Sequence, residues 1–414
     1  MKITDLKCAK LTENPIVPIF ISDDIIVGRN LVLRITTDEG ISGYGQLDNF
    51  KSDLKDHILF YKKYIIGEDP TNVERVMLKI RRMGSFKPWG SAVSAIEMAL
   101  WDIAGKAANL PIYKLLGGKV RDKVRVYNGW GRLKNVNETP KEYADNVKKT
   151  MESKEGFTII KMAIGFHSKM VSKVPNFFYG DFRTGSPHAN RGLLTESGLN
   201  HVIDCVKSIK AISKDKVGLA LDCGPGFMPT DAIRLAKALE PMNIMWLEDL
   251  ITGDYVPYVL ADIYKDITHS TSTPIHTGEQ IYLRQHFKEL IETHAVNVIG
   301  PDPLDVGGLA ELKWIAEYAD LHGILIAPHG AFNGLLGLAG LIQVCSTLPQ
   351  NFIAFEYPIA IPDWWNDIII GLPKPIVKDG FIEVIDRPGL GVEFDTEYAK
   401  KYLSEEDKDF FENG

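Results

Sequence analysis

Disulfide pairs, zinc-type cysteine motifs and membrane spans are all missing from this sequence. The cysteines, Cys8, Cys205, Cys223 and Cys345, lie far apart and form no CxxC pair, a pattern typical of reduced thiols in the cytoplasm. No apolar run approaches the roughly 18 residues of a membrane helix, and the opening MKITDLKCAKL lacks the apolar centre of a signal peptide. These absences exclude a disulfide scaffold and indicate a cytoplasmic protein.

Strong charge of either sign is also missing. The formal net charge is −7 and the isoelectric point is about 5.9, so neither nucleic acid nor an anionic membrane surface would attract the chain. The hydrophobic content of 45% and the charged content of 24% are those of a globular protein. We therefore expect no nucleic-acid partner and no membrane partner.

The length of 414 residues exceeds one ordinary core and leaves room for a barrel of roughly 250 residues plus a second domain. The first 50 or so residues predict an antiparallel meander, most clearly in LVLRITTDEGISGYGQL. From Ser52 to Leu116 apolar residues recur at helical spacing, as in SAVSAIEMALWDIAGKAANL. This opening part predicts an α+β domain.

From about Val124 onwards, short apolar runs alternate with helical stretches. The runs are VRVYNGW, TIIKMAI, VGLALDC, IMWLED, PIHTGE, AVNVIGPD, ILIAPHG and IAFEYP. Eight such runs favour a βα barrel over an open doubly wound sheet, because acids or histidines end almost every run, whereas an open sheet concentrates such residues at one switch point. After Pro358, IVKDGFIEV looks like a hairpin returning to the first domain, and the acidic tail SEEDKDFFENG resembles a frayed helix.

Three acids end three successive strand-like runs. They are Asp222, Glu248 and Glu279, and a barrel would bring them together at its mouth. Carboxylates gathered there would repel one another unless a cation lay between them. Hard oxygen ligands without cysteine or histidine at matching positions favour Mg²⁺ over Zn²⁺.

The next two runs end on Asp302 and His329. A carboxylate beside an imidazole fixes its tautomer and raises its basicity, so this pair predicts a general base. Glu356, at the end of the eighth run, is a candidate for binding substrate or donating a proton, and a salt bridge at the rim explains it equally well. Lys161, at the end of the second run, either neutralises nearby acids or contacts an anionic substrate.

The segment 167–198 is too long for an ordinary βα loop. Long ordered loops on the catalytic face of a barrel often shape a substrate pocket, although a surface excursion explains this one equally well. Lys173, Tyr179, Arg183 and His188 are its candidates for contacts with an anionic, hydroxylated ligand.

The chain resembles the enolase superfamily, and within it the mandelate racemase-like subgroup. LRITTDEGISGYGQ is similar to strands of that family's capping domain, and SAIEMALWDIAGKAANLPIYKLLGG to the helix that enters its barrel. Asp222, Glu248 and Glu279 fall on the family's metal-ligand positions, Asp302 and His329 on its base pair, and Glu356 on its eighth-strand glutamate.

The resemblance implies an α/β fold with a modified TIM barrel of the (β/α)7β type. It predicts an α+β capping domain over residues 1–122, completed by residues 365–414, and a catalytic barrel over residues 123–364. One Mg²⁺ per subunit and a homo-oligomer are expected. The resemblance also implies that the capping domain, including Ile21 to Asp24 and Asn49 to Asp53, covers the barrel mouth.

One departure from the subgroup narrows the chemistry. Its usual Lys-x-Lys motif reads Lys161-Met162-Ala163 here, so the second lysine, the usual base, is absent. Racemisation needs an acid or base on each face of the carbon, whereas elimination by His329 alone needs only one. The resemblance therefore implies an acid-sugar dehydratase that converts a small sugar acid into a 2-keto-3-deoxy acid through an enediolate. The long loop is similar to that of rhamnonate and lyxonate dehydratases.

Two other functions remain open from the sequence. A cycloisomerase of an anhydro-sugar acid would use the same residues while conserving mass. A ligand-binding member whose catalysis has decayed would explain the missing lysine, although the retained acids and the Asp302–His329 pair argue against it.

Overall fold

The computed structural model of the chain describes residues 1–12, 19–22, 25–27, 29–47, 54–84, 89–129, 137–182, 190–251, 259–330, 334–358 and 364–412. The N-terminal strands are β1 (Ile3–Thr12), β2 (Ile19–Ser22), β3 (Ile25–Val27), β4 (Arg29–Thr37) and β5 (Ser42–Gln46). The helices that follow are α1 (Lys55–Phe60), α2 (Lys62–Ile65), α3 (Val73–Ile80), α4 (Trp89–Ala108) and α5 (Ile112–Leu115).

The N-terminal sheet has the antiparallel order β1-β4-β5, and α4 packs against it. The two elements approach closely because β5 carries Gly45, where a Cβ would collide with the backbone carbonyl of Ala95 in α4. Apolar side chains of β1, β4, α3 and α4 form a core of their own beneath this contact. The predicted antiparallel opening followed by helices is confirmed.

The second part alternates strands and helices as predicted. Its strands are β6 (Lys123–Asn128), β7 (Ile159–Ala163), β8 (Phe178–Tyr179), β9 (Leu193–Leu194), β10 (Gly218–Asp222), β11 (Trp246–Glu248), β12 (Ile275–Thr277), β13 (Val298–Ile299), β14 (Leu325–Ile326) and β15 (Phe355–Tyr357). Its helices are α6 (Pro140–Met151), α7 (Met170–Lys173), α8 (Glu196–Ser213), α9 (Pro229–Leu239), α10 (Ala261–Thr268), α11 (Arg284–Glu292), α12 (Leu309–Leu321) and α13 (Gly334–Cys345). The small β8–β9 hairpin lies outside the main sheet.

The main sheet is a ring of parallel strands. Its order is β14-β13-β12-β11-β10-β7-β6-β15, and every neighbouring pair along this path is parallel. The ring closes where Ile353 N donates to Ile326 O at 2.9 Å and Glu356 N donates to Pro328 O at 2.9 Å. The predicted barrel is therefore confirmed, and the open sheet is excluded. Buried side chains fill its interior, among them Tyr127 and Trp246.

The C-terminal segment contains α14 (Trp365–Ile368), β16 (Ile369–Ile370), β17 (Phe381–Glu383), β18 (Glu393–Phe394) and α15 (Thr396–Ala399). The predicted return of its hairpin to the first domain was wrong, because β17 pairs antiparallel with the barrel strand β6. The tail is anchored rather than frayed. Asp407 accepts a hydrogen bond from the amide of Lys10 at 2.9 Å, and Lys7 Nζ lies 3.1 Å from Asp409 Oδ2. The exact domain division, 1–122 with 365–414 against 123–364, stays a prediction.

Side chains of the N-terminal domain cap two barrel helices. Glu97 of α4 accepts hydrogen bonds from the amides of Leu309 (2.8 Å) and Ala310 (3.0 Å), where α12 begins. Gln46 of β5 accepts from the amides of Leu336 (3.1 Å) and Gly337 (3.3 Å) in the first turn of α13. The first amides of a helix have no partner within it, so these contacts satisfy them across the domain boundary.

None of the helices in the described part of the chain is both long enough and apolar enough to cross a bilayer. The four cysteines are free and buried.

We expect the buried carboxyl group of Glu97 to make the stability of the protein depend on pH. Burial raises the pKa of Glu97 from its ordinary 4.5 to about 7, against the hydrogen bonds donated by Ala310 and Leu309. The folded protein then holds this proton more tightly than the unfolded chain does. The free energy of unfolding should therefore fall as the pH rises from about 4.5 to about 7, by on the order of 3 kcal/mol.

Urea unfolding of the wild type and of Glu97→Gln at pH 5 and pH 7.5 checks this expectation. Glutamine at position 97 keeps a carbonyl oxygen as hydrogen-bond acceptor but has no titratable proton. The fall in the free energy of unfolding between pH 5 and pH 7.5 that Glu97 causes should therefore disappear. Identical pH dependence in the two proteins would contradict the prediction.

Candidate active site

The mouth of the barrel collects the acids that end its strands. Asp222 ends β10 and Glu248 ends β11, and the two are register partners in adjacent parallel strands. Glu279 follows two residues after the end of β12. Because parallel strands end at the same edge of the sheet, the three predicted ligand positions share one side of the mouth.

Lys161 of β7 lies among these acids. Its Nζ is 2.6 Å from Glu248 Oε1, 3.2 Å from Glu356 Oε1 and 3.6 Å from Asp222 Oδ2. Although burial opposes its charge, Glu248 and Glu356 raise the pKa of Lys161 well above its ordinary value. The side chain is therefore a fixed cation that ties together the ends of four strands.

Asp302 and His329 form a hydrogen-bonded pair. His329 Nδ1 lies 2.6 Å from Asp302 Oδ2, and Asp302 Oδ1 accepts the amide of Leu304 at 2.7 Å, which fixes the carboxylate. The other ring nitrogen, Nε2, is 3.3 Å from Glu279 Oε2 and 3.4 Å from Glu356 Oε2. Burial opposes protonation, but Glu279, Glu356 and Asp302 together raise the pKa of His329 well above its ordinary value.

Glu356 of β15 links the lysine to the histidine. One of its oxygens faces Lys161 and the other faces His329, and the side chain is buried. It has room there because residue 129, just beyond β6, is glycine, and a Cβ at Gly129 would overlap the carboxylate. The structure thus brings the residues predicted at the strand ends into one connected cluster: Lys161, Asp222, Glu248, Glu279, Asp302, His329 and Glu356.

The cluster carries more negative than positive charge. Its carboxylates are Asp222, Glu248, Asp249, Glu279, Asp302 and Glu356, and the facing cations are Lys161 and His329. Burial is the main cause that raises the pKa of Asp249 well above its ordinary value, and the negative charges of Glu279 and Glu248 raise it further. The raised pKa reflects the crowding of acids at the barrel mouth. Across the described ranges no three His, Cys, Asp or Glu side chains are arranged as ligands around one point. The oxygen donors and their surplus charge nevertheless suit a hard divalent cation.

The sequence analysis missed two residues that contact the cluster and one of the cluster's own acids, Asp249. Trp246 Nε1 donates to Glu248 Oε2 at 2.8 Å, and His167 Nδ1 lies 3.1 Å from Asp222 Oδ1. Asp249 accepts a hydrogen bond from Thr277 at 2.6 Å. Strand alternation could have found Trp246, since it lies two residues before Glu248 and so on the same face. No sequence pattern marks His167.

His276 lies beside Trp246 inside the barrel. Burial lowers its pKa from 6.5 to about 4, although Glu248 opposes that shift, so its imidazole is neutral. It therefore adds no positive charge to the site.

The position of the missing lysine lies next to a predicted metal ligand. Ala163 is the register partner of Asp222 across β7 and β10, and it is buried. Its carbonyl accepts a hydrogen bond from Tyr143 Oη at 3.1 Å. A methyl group cannot exchange a proton, so this strand end provides no base.

The long loop after β7 is held by aromatic packing. Phe166 contacts Phe177, Phe178 and Phe227 edge-on, with ring centroids 5.2 to 5.6 Å apart. Tyr179 is 69% exposed and no contact with the cluster is described for it. Of the other loop candidates, Lys173 ends α7, whereas Arg183 and His188 lie outside the described residues. Asp23, Asp24 and the segment 49–53, expected to cover the mouth, lie outside them as well.

Comparison with known families agrees with this architecture. The sequence model "Enolase C-terminal domain-like" matches residues 142–399, and "Mandelate racemase / muconate lactonizing enzyme, N-terminal domain" matches residues 9–117. The chain belongs to the enolase superfamily. Among solved structures, this superfamily member is similar to a mandelate racemase/muconate lactonizing enzyme-like protein from Rubrobacter xylanophilus. The TM-score is 0.79 and the identity 28%, over 98% of each chain.

Curated relatives within the superfamily are named dehydratases. The D-xylonate dehydratase of Haloferax volcanii is 32% identical over 91% of this chain and 85% of its own length. The D-mannonate dehydratase of Caulobacter vibrioides is 32% identical over 91% and 92%, and the D-galactonate dehydratase of Variovorax paradoxus is 27% identical over 90% of each.

We expect Gly129→Ala to push the Glu356 carboxylate away from Lys161 and His329, because the new methyl group would occupy its position. Overpacking of this kind costs about 1 to 3 kcal/mol of stability. A crystal structure of the variant should show the Lys161 Nζ–Glu356 Oε1 distance lengthened from 3.2 Å.

A double-mutant cycle provides the control. In a Glu356→Ala background, Gly129→Ala should cost clearly less stability, since the overlapping carboxylate is gone. Equal costs in the two backgrounds would show that the glycine is not there to accommodate Glu356.

Proposed function

We propose that this protein is a Mg²⁺-dependent acid-sugar dehydratase. It would remove the proton α to a carboxylate and eliminate a β-hydroxyl, giving a 2-keto-3-deoxy sugar acid. The observation that carries the proposal is the Asp302–His329 pair, at 2.6 Å, with the second ring nitrogen of His329 turned toward Glu279 and Glu356 at the mouth of the barrel. The names of the dehydratase relatives support the same reaction class.

Asp222, Glu248 and Glu279 are the residues that would hold one Mg²⁺ per subunit. Their hard oxygen donors match the ion's preference, and their crowding leaves negative charge to be neutralised. When bound, Mg²⁺ would stabilise negative charge on the substrate carboxylate and offset the acids that raise the pKa of His329. Lys161 would add a second, fixed positive charge facing the same carboxylate.

His329 is the proposed base. Nδ1–H of His329 donates a hydrogen bond to Asp302, so the lone pair of the neutral ring lies on Nε2, and Nε2 takes the α-proton. As the C–H bond breaks, its electrons move toward the carboxylate and form an enediolate. The enediolate then expels the β-hydroxyl group, so that a double bond forms between the α- and β-carbons while the β-carbon–oxygen bond breaks with its pair going to oxygen. The resulting enol becomes the 2-keto-3-deoxy acid when its hydroxyl proton is lost and the β-carbon takes a proton from water. Nε2 of His329 then carries the α-proton and can return it to the departing hydroxide, which leaves as water. Glu356 is the alternative donor if that proton first passes to its Oε2, which lies 3.4 Å from Nε2 of His329.

Elimination rather than racemisation follows from Ala163. Its methyl side chain has no titratable proton, so it cannot act as the second acid or base that racemisation would need on the face opposite His329. Assembly as a homo-oligomer and a cytoplasmic location stay predictions.

A library of aldonates and aldarates, incubated with purified protein and Mg²⁺, tests the function. We expect a substrate that loses one water, detected as a 2-keto-3-deoxy product with semicarbazide and as a mass change. His329→Asn should reduce kcat by about 10²- to 10⁴-fold, the usual contribution of a general acid–base group.

The matched control is His294→Asn. His294 lies in the turn after α11 with a φ of 51°, a conformation that asparagine tolerates, so its activity should stay at the wild-type level. A product of unchanged mass would favour the cycloisomerase, and silence across aldonates, aldarates and anhydro-sugar acids would favour the non-catalytic ligand binder.

A single base predicts that the unreacted substrate is not epimerised at its α-carbon. In deuterium oxide, the remaining substrate should show no epimer at the α-carbon, because Ala163 offers no proton on the opposite face. Proton NMR of the recovered substrate at half conversion measures this. Appearance of the C2 epimer would reveal a second acid–base group.

A further inference from the structure

Glu248 is held by two different donors. Lys161 Nζ lies 2.6 Å from its Oε1, and Trp246 Nε1 donates to its Oε2 at 2.8 Å. The first donor is a cation and the second is neutral. A divalent cation near Glu248 would repel the positively charged ammonium group of Lys161. It would not repel the indole of Trp246 in this way, because the indole carries no net charge.

The indole of Trp246 is itself held rigidly. It is buried in the barrel interior, where its ring meets the ring of Tyr127 edge-on at 5.5 Å and 77°. It also stacks on the ring of His276 at 5.4 Å and 22°. These contacts hold the indole in a packed core, and its N–H is directed at Glu248, two residues further along β11 and on the same face.

We propose that Trp246 is a positioning residue for the divalent cation, because its indole N–H orients the Glu248 carboxylate for metal binding. This inference rests on the metal ligands assigned in the proposed function. Partners of this kind, which hold a metal ligand without touching the metal, typically change metal affinity by about 10- to 100-fold when removed.

The chain offers a matched control in Trp365. It is also fully buried and packs against aromatic rings, Trp364 and Phe394, but among the described residues its indole N–H has no hydrogen-bond acceptor. Trp246→Phe and Trp365→Phe therefore remove the same atoms from a core, and only the first removes a donor to Glu248.

Isothermal titration of the metal-stripped full-length protein with MgCl₂ is the test. We expect Trp246→Phe to weaken Mg²⁺ binding by about 10- to 100-fold, and Trp365→Phe to stay within about twofold of the wild type. The Mg²⁺ concentration needed for half-maximal activity should rise in parallel, while kcat at saturating Mg²⁺ changes much less. A purely structural role would lower kcat and the melting temperature and leave the Mg²⁺ affinity unchanged.

Wild-type-like Mg²⁺ affinity in Trp246→Phe would overturn the inference and leave the proposed function standing. Absence of Mg²⁺ binding by the wild type would overturn both. Should Trp246→Phe fail to fold, β-(3-benzothienyl)alanine placed at position 246 keeps the bicyclic shape and replaces the N–H by sulfur. Weakened Mg²⁺ binding in that protein supports the proposal, and unchanged binding contradicts it.

Discussion

The concentration of negative charge at one end of the barrel is the constraint on which the site depends. Closing a parallel sheet brings the strand ends together, and here those ends carry acids. Mutual repulsion would favour protonation of the acids unless positive charge lay among them. Lys161 meets part of this need, since its ammonium group reaches acids of three other strands. The site is therefore organised by electrostatics before any ligand arrives.

The barrel and the N-terminal domain are joined by polar contacts as well as by apolar packing. Glu97 and Gln46 each accept two amides from the start of a barrel helix, and both side chains are buried. Ser94 adds a hydrogen bond across the same boundary, accepting the amide of Gly307, just before α12, at 2.9 Å. These bonds fix the angle between the domains because a helix start can be capped only from a narrow range of positions.

Most of the fold could be predicted from the sequence because its signals are local. Strand runs, their polar ends and the helices between them follow from periodicity, and Asp222, Glu248 and His329 were singled out on that basis alone. The hairpin near residue 381 was assigned to the wrong neighbour, since alternation identifies a strand but not its partner. β17 pairs with β6, more than two hundred residues earlier in the chain.

The contacts around the acids were harder to predict for the same reason. His167 reaches Asp222 from a loop, and no repeat or spacing connects the two in the sequence. In the sequence, Trp246 is indistinguishable from an ordinary apolar strand residue. Its contact with Glu248 becomes evident only from the direction of its N–H in the structure. Such roles depend on the orientation of a side chain in three dimensions, which composition and periodicity do not specify.

The helix caps that cross the domain boundary limit how this protein can be cut into separately expressed or exchanged domains. A barrel expressed alone would expose the first amides of α12 and α13, which in the whole chain are bonded to Glu97 and Gln46. If the N-terminal domain were replaced by that of a relative, the new domain would need a hydrogen-bond acceptor at the positions of both Glu97 and Gln46. A chimera of this chain therefore needs either a junction that keeps each acceptor with the helix that it caps, or an incoming segment that supplies its own acceptor.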